Sequence, residues 1–358
     1  MGGVSPALAS WARQLTSFLG QRSGGVNMTR LGTVCTLGLA LLLASHRLPA
    51  QVPQERFCQF IATNSGGSLG AICYAGLDAA QVFLPLWGMS ISGGNPQVGT
   101  AGPLGGLGRA SVTARVNAIT SSLPDPTKAS AIMVPSSFSG LLPSTSVDAA
   151  FGVWKGTGAG VLSIDALGSA VLFHGGAVSD LWRSRGTGRF LGGVLGVGYG
   201  ARFGVHQGGA LLPTLSLSYM RRTLPRVQYG SPPSTCCVGD EFEFDLNLHA
   251  DNYRLTAGWR FAAVDVAAGV GIDHYSSSAH VHGQGGVSGG IGSFDTFPGL
   301  SATRQVIFAD AGLRVAEARL VAELGYQPGK NDHLTAQFSG FDPNNGHPFG
   351  NVGLRFDL

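Results

Sequence analysis

The sequence predicts an all-β protein, namely an antiparallel transmembrane β-barrel of about ten strands (roughly 8–12) with a short irregular N-terminal segment. Apolar and polar residues alternate with period 2 in many segments, and the connections between these segments are alternately long and short. Only 12% of the residues are charged, whereas 44% are hydrophobic and 56 residues are glycine. Such a composition excludes a disordered chain. Beyond residue 50 there is no apolar run of about 18 residues, so a helical membrane protein is excluded as well.

The first 50 residues have the features of a secretory signal peptide that starts at Met28 instead of Met1. Arg30 supplies the charged n-region, residues 31–44 form an apolar h-region, and Leu48-Pro49-Ala50 is a small-residue cleavage site. We therefore expect residues 1–50 to be removed after Ala50 and the mature protein to be exported. A buried core helix at 31–44 is the alternative.

Four cysteines remain after this cleavage, and they allow three disulfide connectivities. Export makes disulfides plausible. A Cys58–Cys73 bridge would close a loop of about 15 residues, which corresponds to roughly 3 kcal/mol in the chain-entropy model. Cys236 and Cys237 lie in a predicted loop, and their state stays open.

Residues 51–106 form the irregular N-terminal segment, which has no clean alternation. Leu77 to Leu86 can form a short helix that Pro85 helps to end. The segment is either a lead-in outside the barrel or a plug in its lumen. An extra strand at 86–92 is a further alternative.

The barrel itself is predicted over residues 107–358. Its ten strands are expected near 107–119, 146–154, 160–172, 188–203, 211–223, 243–261, 264–275, 303–315, 318–327 and 349–358. The strand at 243–261 is the least secure, because its apolar face switches between Leu248 and Tyr253. A bulge would explain the switch, and so would a hairpin turn.

The connections decide between a membrane barrel and a soluble β-sandwich. The long ones are 120–145, 173–187, 224–242, 276–302 and 328–348, and the short ones are 155–159, 204–210, 262–263 and 316–317. Barrels of the outer membrane have short turns at one end and long loops at the other, whereas a sandwich has no reason to sort its loops. An even strand count would place both ends of the barrel on the short-turn side.

The last ten residues, "FGNVGLRFDL", alternate strictly. Val352, Leu354, Phe356 and Leu358 share one face, and Arg355 and Asp357 lie on the other. This stretch resembles the C-terminal strand of bacterial outer-membrane β-barrels, although that strand usually ends in an aromatic residue and this one ends in leucine. The resemblance implies an outer-membrane location, a lipid-facing apolar face and recognition by the barrel-assembly machinery through this strand. It also implies that both termini lie in the periplasm.

The charged residues of the strands are expected to face the lumen. They are Arg109, Arg115, Asp165, Arg202, Asp265, Arg314, Arg319, Glu323, Arg355 and Asp357. About ten strands enclose little space, so these charges should pair and fill the lumen. Aromatic residues near strand ends are expected to form interfacial girdles: Tyr199, Phe203, Tyr219, Trp259, Phe261, Tyr275, Tyr326 and Phe356.

No motif for catalysis, cofactor binding or metal binding is evident in the sequence. Asp273-His274 resembles part of the rim site of the omptins, which are ten-stranded outer-membrane proteases, but adjacent strand residues point to opposite faces. His280 and His282 share a face and lack an evident third metal ligand. We therefore expect no enzyme, no cofactor and no metal.

The expected function is that of a structural or surface protein of the outer membrane, or a narrow channel. A plugged transporter of small or hydrophobic solutes is the alternative, and an omptin-like hydrolase comes third. Without residues 1–50 the chain has 19 basic and 20 acidic residues, and this balance does not indicate a nucleic-acid partner. The oligomeric state stays open.

Overall fold

The computed structural model describes residues 52–129, 133–157, 162–174, 189–191, 193–206, 208, 212–231 and 241–358. The predicted signal peptide and the Cys236-Cys237 pair lie outside these residues.

Two helices precede thirteen strands in the described chain. The helices are Val52–Ser65 (α1) and Leu69–Ser92 (α2). The strands are Ala110–Pro124 (β1), Val134–Trp154 (β2), Ser163–His174 (β3), Arg189–Leu191 (β4), Gly193–His206 (β5), Thr214–Ser231 (β6), Glu241–Arg260 (β7), Val264–Val287 (β8), Gly290–Thr296 (β9), Gly299–Val315 (β10), Ala318–Gln327 (β11), Phe338–Ser339 (β12) and His347–Asp357 (β13).

Ten of these strands close an antiparallel barrel, in which β1 pairs with β2 on one side and with β13 on the other. The closing register places Val112 opposite Phe356. Strands β4, β9 and β12 are short additions to this ring. The predicted fold class and the ten predicted strands are confirmed, and closure gives every strand of this ring a partner on both sides, as a lipid environment requires.

The connections alternate between two ends of the barrel, which we call the short-turn end and the long-loop end. At the long-loop end the strands run well past their predicted limits. The predicted loop 276–302, for example, contains the second half of β8 and all of β9. Its glycines and serines hide the alternation in the sequence.

The barrel has two tiers with opposite polarity. In the lower tier, near the short-turn end, apolar residues face outward and polar residues face inward, as Tyr253 and Arg254 of β7 do. In the upper tier the faces reverse, so Glu243 faces outward and Phe244 lies in the core. The apolar face of β7 therefore changes sides without a bulge or a hairpin, and β7 is one continuous strand. The nearby register irregularity lies in β6, between Leu224 and Val227.

The outward apolar belt of the lower tier has the height of a membrane. In β8 it runs over 264–272 and in β11 over 318–326, which matches the roughly 9–11 residues of a transmembrane strand. Tyrosines lie near its upper edge, and tryptophans and phenylalanines near the short-turn end. Tyr275 is the exception among the predicted girdle residues, because its side chain is fully buried in the lumen.

The upper tier is filled by α2, which lies inside the barrel. Its rings pack against inward aromatic residues, with centroids 4.8 Å apart for Phe83 and Phe244 and 5.3 Å apart for Trp87 and Phe173. Gly88 is required by close approach, since a Cβ there would collide with the ring of Tyr275. The helix is long and apolar enough to span a membrane, but its most apolar window is 83% buried within the barrel.

The helix corrects two expectations for the N-terminal segment. It begins at Leu69 and continues through Pro85 to Ser92, so Pro85 does not end it and residues 86–92 are not a strand. Packing on nearly every side outweighs the hydrogen bond that Pro85 removes.

Candidate functional site: a plug latched in the lumen

Buried ion pairs line the lower tier of the lumen. Arg115 Nε lies 2.7 Å from Asp148, Arg254 Nη1 lies 2.5 Å from Asp273, and Arg202 Nη2 lies 2.7 Å from Asp165. All six side chains are at most 3% exposed. Charges buried to this degree need partners, and each of these six side chains has an opposite charge within contact.

Together with the other buried charged side chains of this tier, these ion pairs form what we call the charged ring. The chain leaves α2 and enters the charged ring as an irregular segment, residues 92–99, which we call the latch segment. Glu323 accepts the backbone N–H groups of Gly94 (2.8 Å) and Asn95 (2.5 Å). Asp310 accepts the N–H of Gly99 at 2.8 Å and the side-chain amide of Asn95 at 3.0 Å.

Two arginines hold the carbonyl oxygens of the latch segment. Arg254 donates from Nε to the Gly94 carbonyl at 2.6 Å and from Nη2 to the Gly93 carbonyl at 3.0 Å. Arg115 donates to the Asn95 carbonyl at 3.2 Å. Each carboxylate or guanidinium therefore binds the main chain of the plug, and Asp310 also binds the side chain of Asn95. Charge-assisted hydrogen bonds of this kind are about twice as strong as neutral ones.

Below the latch segment the chain continues to the short-turn end. The N–H of Leu104 donates to Asp165 at 3.1 Å, and Gly106 lies against Gly152 and Lys155. A cavity of about 430 Å³ lies beside residues 100–105. The N-terminal segment thus passes through the whole lumen and reaches β1 at the short-turn end.

An ionic chain runs along one side of the short-turn mouth. Asp265 contacts both Arg260 and Arg319, and Arg319 Nε lies 2.9 Å from Asp357. Asp357 also accepts Arg355 Nε at 2.8 Å. These contacts tie β7, β8, β11 and β13 together across the mouth.

The predicted lumen residues fall into two groups. Most lie in the lumen or at its short-turn mouth, namely Arg115, Asp165, Arg202, Asp265, Arg319, Glu323, Arg355 and Asp357. Arg109 and Arg314 are exposed instead, which corrects their assignment. Arg109 precedes β1 and Arg314 is next to the last residue of β10, so both extend past the rim into solvent.

Sequence reasoning missed several members of the charged ring: Asp148, Arg222, Arg254, Asp273 and Asp310. Successive side chains of a strand point to opposite faces, and this alternation along β2, β6 and β10 would have placed Asp148, Arg222 and Asp310 on the inner face. Arg254 was hidden by the change of apolar face in β7.

Asp273 and His274 do point to opposite faces. Asp273 is buried and accepts Tyr275 Oη at 2.7 Å, whereas His274 lies outside beside Thr303. The two residues therefore do not form a joint site.

His280 and His282 lie on the outer face of the upper tier, where both contact Asp295 Oδ1, at 2.9 and 3.1 Å. The hydrogen bond from His280, followed by that from His282, holds the pKa of Asp295 below its usual value. Within the described ranges, no group of three or more His, Cys, Asp or Glu side chains is arranged to hold a metal ion.

The Cys58–Cys73 disulfide joins α1 to α2, with the two Cα atoms 5.5 Å apart. It lies at the long-loop end, where Ser68 Oγ accepts the N–H of Gly286 at 2.9 Å and the Ser65 carbonyl accepts the N–H of Ser288 at 2.7 Å. This is the end opposite to the start of β1. The described chain therefore begins at that end, whereas both ends of the barrel lie at the short-turn end, as the even strand count predicts.

No protein-family model and no curated protein matches the chain. Several solved structures resemble it. The outer membrane protease OmpT from Escherichia coli shares 10% identity with a TM-score of 0.33, and the match covers 70% of this chain and 96% of OmpT. The translocator domain of the autotransporter NalP from Neisseria meningitidis shares 11% identity with a TM-score of 0.41, covering 79% and 96%. The toluene transporter TodX from Pseudomonas putida shares 11% identity with a TM-score of 0.29, covering 70% and 88%.

These three proteins are outer-membrane β-barrels with different activities. At such identities and scores, the likeness carries no argument about which activity this chain has.

Proposed function

We propose that the protein is an outer-membrane barrel that its own N-terminal segment keeps closed, with a structural or surface role and not that of an open channel. The observation that carries this proposal is the set of charged contacts that hold the latch segment, which we call the latch. Four buried charged side chains, Arg115, Arg254, Asp310 and Glu323, bind the main chain of residues 92–99 and occupy the center of the lumen. We therefore expect a lumen filled in this way to block the passage of ions.

Planar-bilayer recording of the purified protein tests the proposal. We expect little or no steady conductance from the wild type at neutral pH. Stable, ion-selective steps would contradict a closed barrel and would favour the narrow channel.

The proposed location is the outer membrane, with the apolar belt in lipid and residues 1–50 removed on export. The alternation in β13 supports recognition of the C-terminal strand by the barrel-assembly machinery. Fractionation with outer membranes and heat-modifiable migration in detergent gels are the expected results, because a barrel with internal hydrogen bonds resists unfolding. Recovery as a soluble periplasmic protein would contradict both the outer-membrane location and the placement of the apolar belt in lipid.

We infer no catalytic role for this chain. The carboxylate of Asp273 is bound to Arg254 and Tyr275, and His274 points away from it. An omptin-like site at this pair would instead need Asp273 and His274 to meet at one accessible point.

A plugged transporter is the second candidate, and one observation favours it. Below α2 the plug is irregular and rich in glycine, and its contacts in the lower tier are polar instead of apolar. The cavity of about 430 Å³ adjoins this part of the plug. Such a segment can shift within the lower lumen without disturbing the apolar packing of the upper tier. Deleting residues 51–100 tests this candidate, which predicts that the deletion creates conductance in a barrel that still folds. A folded barrel that stays closed would contradict it.

A further inference from the structure

We propose that the charged ring around the latch segment is a peptide-binding site, and that residues 92–99 occupy it as a tethered ligand. The ligand class is a short glycine-containing peptide that is bound through its main chain. This inference rests on the second candidate function, the plugged transporter.

The ring matches the chemistry of a peptide backbone, which presents N–H donors and C=O acceptors in alternation. Glu323 and Asp310 accept three backbone N–H groups, those of Gly94, Asn95 and Gly99, at 2.5–2.8 Å. A lone cation or anion would satisfy only one half of these partners.

Donors from β1 and β7, on either side of β10 and β11, complete the match. Arg254 binds two successive carbonyl oxygens, those of Gly93 and Gly94, and Arg115 binds the next one, on Asn95. Three consecutive residues thus have their carbonyl groups held by guanidinium groups, and two of the three also have their N–H groups held by a carboxylate. Main-chain recognition of this kind gives affinity without dependence on most side chains.

The two glycines explain the selectivity that such a site would have. A Cβ on Gly94 would lie 2.6 Å from the ring of Phe308 and 2.8 Å from Glu323 Oε2, and a Cβ on Gly93 would lie 2.9 Å from Arg115 Nη1. Gly93 also has φ of +62°, which favours glycine. The charged ring around the latch segment therefore accepts a backbone that carries no side chain at two successive positions.

A cavity lies at the short-turn end, below the latch segment. It begins at Thr100, next to the latch segment in the chain, and Trp259 and Arg260 form part of its wall.

The test uses Gly94→Val in the full-length protein, together with the synthetic peptide SGGNPQVGT, which copies residues 92–100. Because the new Cβ cannot fit beside Phe308, the variant should release the latch segment and conduct in planar bilayers. The peptide should then block at least half of that conductance at about 1 mM, the usual effective concentration of a short tethered segment.

A matched peptide with an N-methyl group on its second glycine lacks the N–H that Glu323 accepts. It should require at least about tenfold more peptide for the same block, because a charge-assisted hydrogen bond is lost. Equal block by both peptides, or no block by either, would overturn the inference while leaving the closed-barrel proposal in place. Conductance by the wild type would contradict the closed barrel, and selective block of that conductance would still support the peptide site.

A second measurement applies if Gly94→Val does not fold or does not conduct. Amide exchange of residues 93–99 in the wild type should become at least about threefold faster with excess SGGNPQVGT, because the free peptide competes for the ring. Unchanged exchange, or equal acceleration by the N-methylated peptide, would overturn the inference.

Discussion

Replacing Glu323 with glutamine should weaken the latch without opening a gap in the barrel wall. Glu323 accepts three hydrogen bonds: Gly94 N–H and Asn351 Nδ2 at Oε1 (2.8 and 2.6 Å), and Asn95 N–H at Oε2 (2.5 Å). Glutamine has nearly the same shape but only one acceptor oxygen. Its amide group must therefore face at least one of these donors.

The expected cost follows from these three bonds. One buried N–H left without an acceptor costs about 1–3 kcal/mol, and each of the other two loses about 1 kcal/mol when the acceptor is no longer charged. The sum is about 3–5 kcal/mol in the free energy of unfolding, similar to the usual cost of breaking a buried ion pair. The carboxylate also compensates the nearby charges of Arg115 and Arg254, so its loss adds to this cost.

Urea unfolding in lipid vesicles measures this effect, and amide exchange at residues 93–95 locates it. Glu317→Gln is the matched control, because Glu317 is exposed in the β10–β11 turn of the same hairpin, where substitutions usually change stability by less than about 0.5 kcal/mol. We expect the Glu323→Gln variant to lose stability and to exchange faster at the latch before any conductance appears. Equal unfolding free energies for the two variants would refute the view that this carboxylate holds the plug.

Three further predictions concern the membrane face, the disulfide and the chain end. Leu354→Arg should hinder assembly more than Arg355→Leu, measured as the folded fraction on heat-modifiable gels, because a lipid-facing arginine costs up to about 2–4 kcal/mol; equal fractions would contradict the assigned faces. Changing Cys58 and Cys73 to serine should remove roughly 3 kcal/mol of restraint on α1, so that limited proteolysis cuts residues 52–68 while the strands stay protected; cleavage equal to wild type would contradict this. Mass spectrometry should find Gln51 at the mature N-terminus, labelled by an impermeant amine reagent on intact cells; a retained Met1 would contradict export, and labelling only after permeabilisation would contradict the threaded plug.

The alternation of lipid-facing and lumen-facing residues can be determined from the sequence alone. Leu354 and Arg355 show why: in a strand, neighbouring residues point to opposite faces, so lipid on one side leaves a local period-2 record. The sorted loop lengths record the two ends of the barrel in the same local manner. Fold class, strand number and the faces of the lower tier follow from these signals.

The inner face of the upper tier depends on what fills it, which no local pattern records. In β7 the apolar face changes sides because α2 fills the upper lumen, and in the sequence this change is indistinguishable from a bulge. Tyr275 was misplaced for the same reason: it packs in the lumen against Gly88 of α2.

The latch is decided entirely by tertiary structure. Glu323 can be assigned to the lumen from its strand phase, but its partners Gly94 and Asn95 lie 229 and 228 residues away in the chain. Arg254 likewise reaches Gly93 across 161 residues. Contacts of such separation arise only when the barrel closes around the segment, because closure brings four distant charged side chains to one stretch of backbone. The sequence therefore determines the barrel wall through local periodicity, and only the closed fold determines what the wall holds.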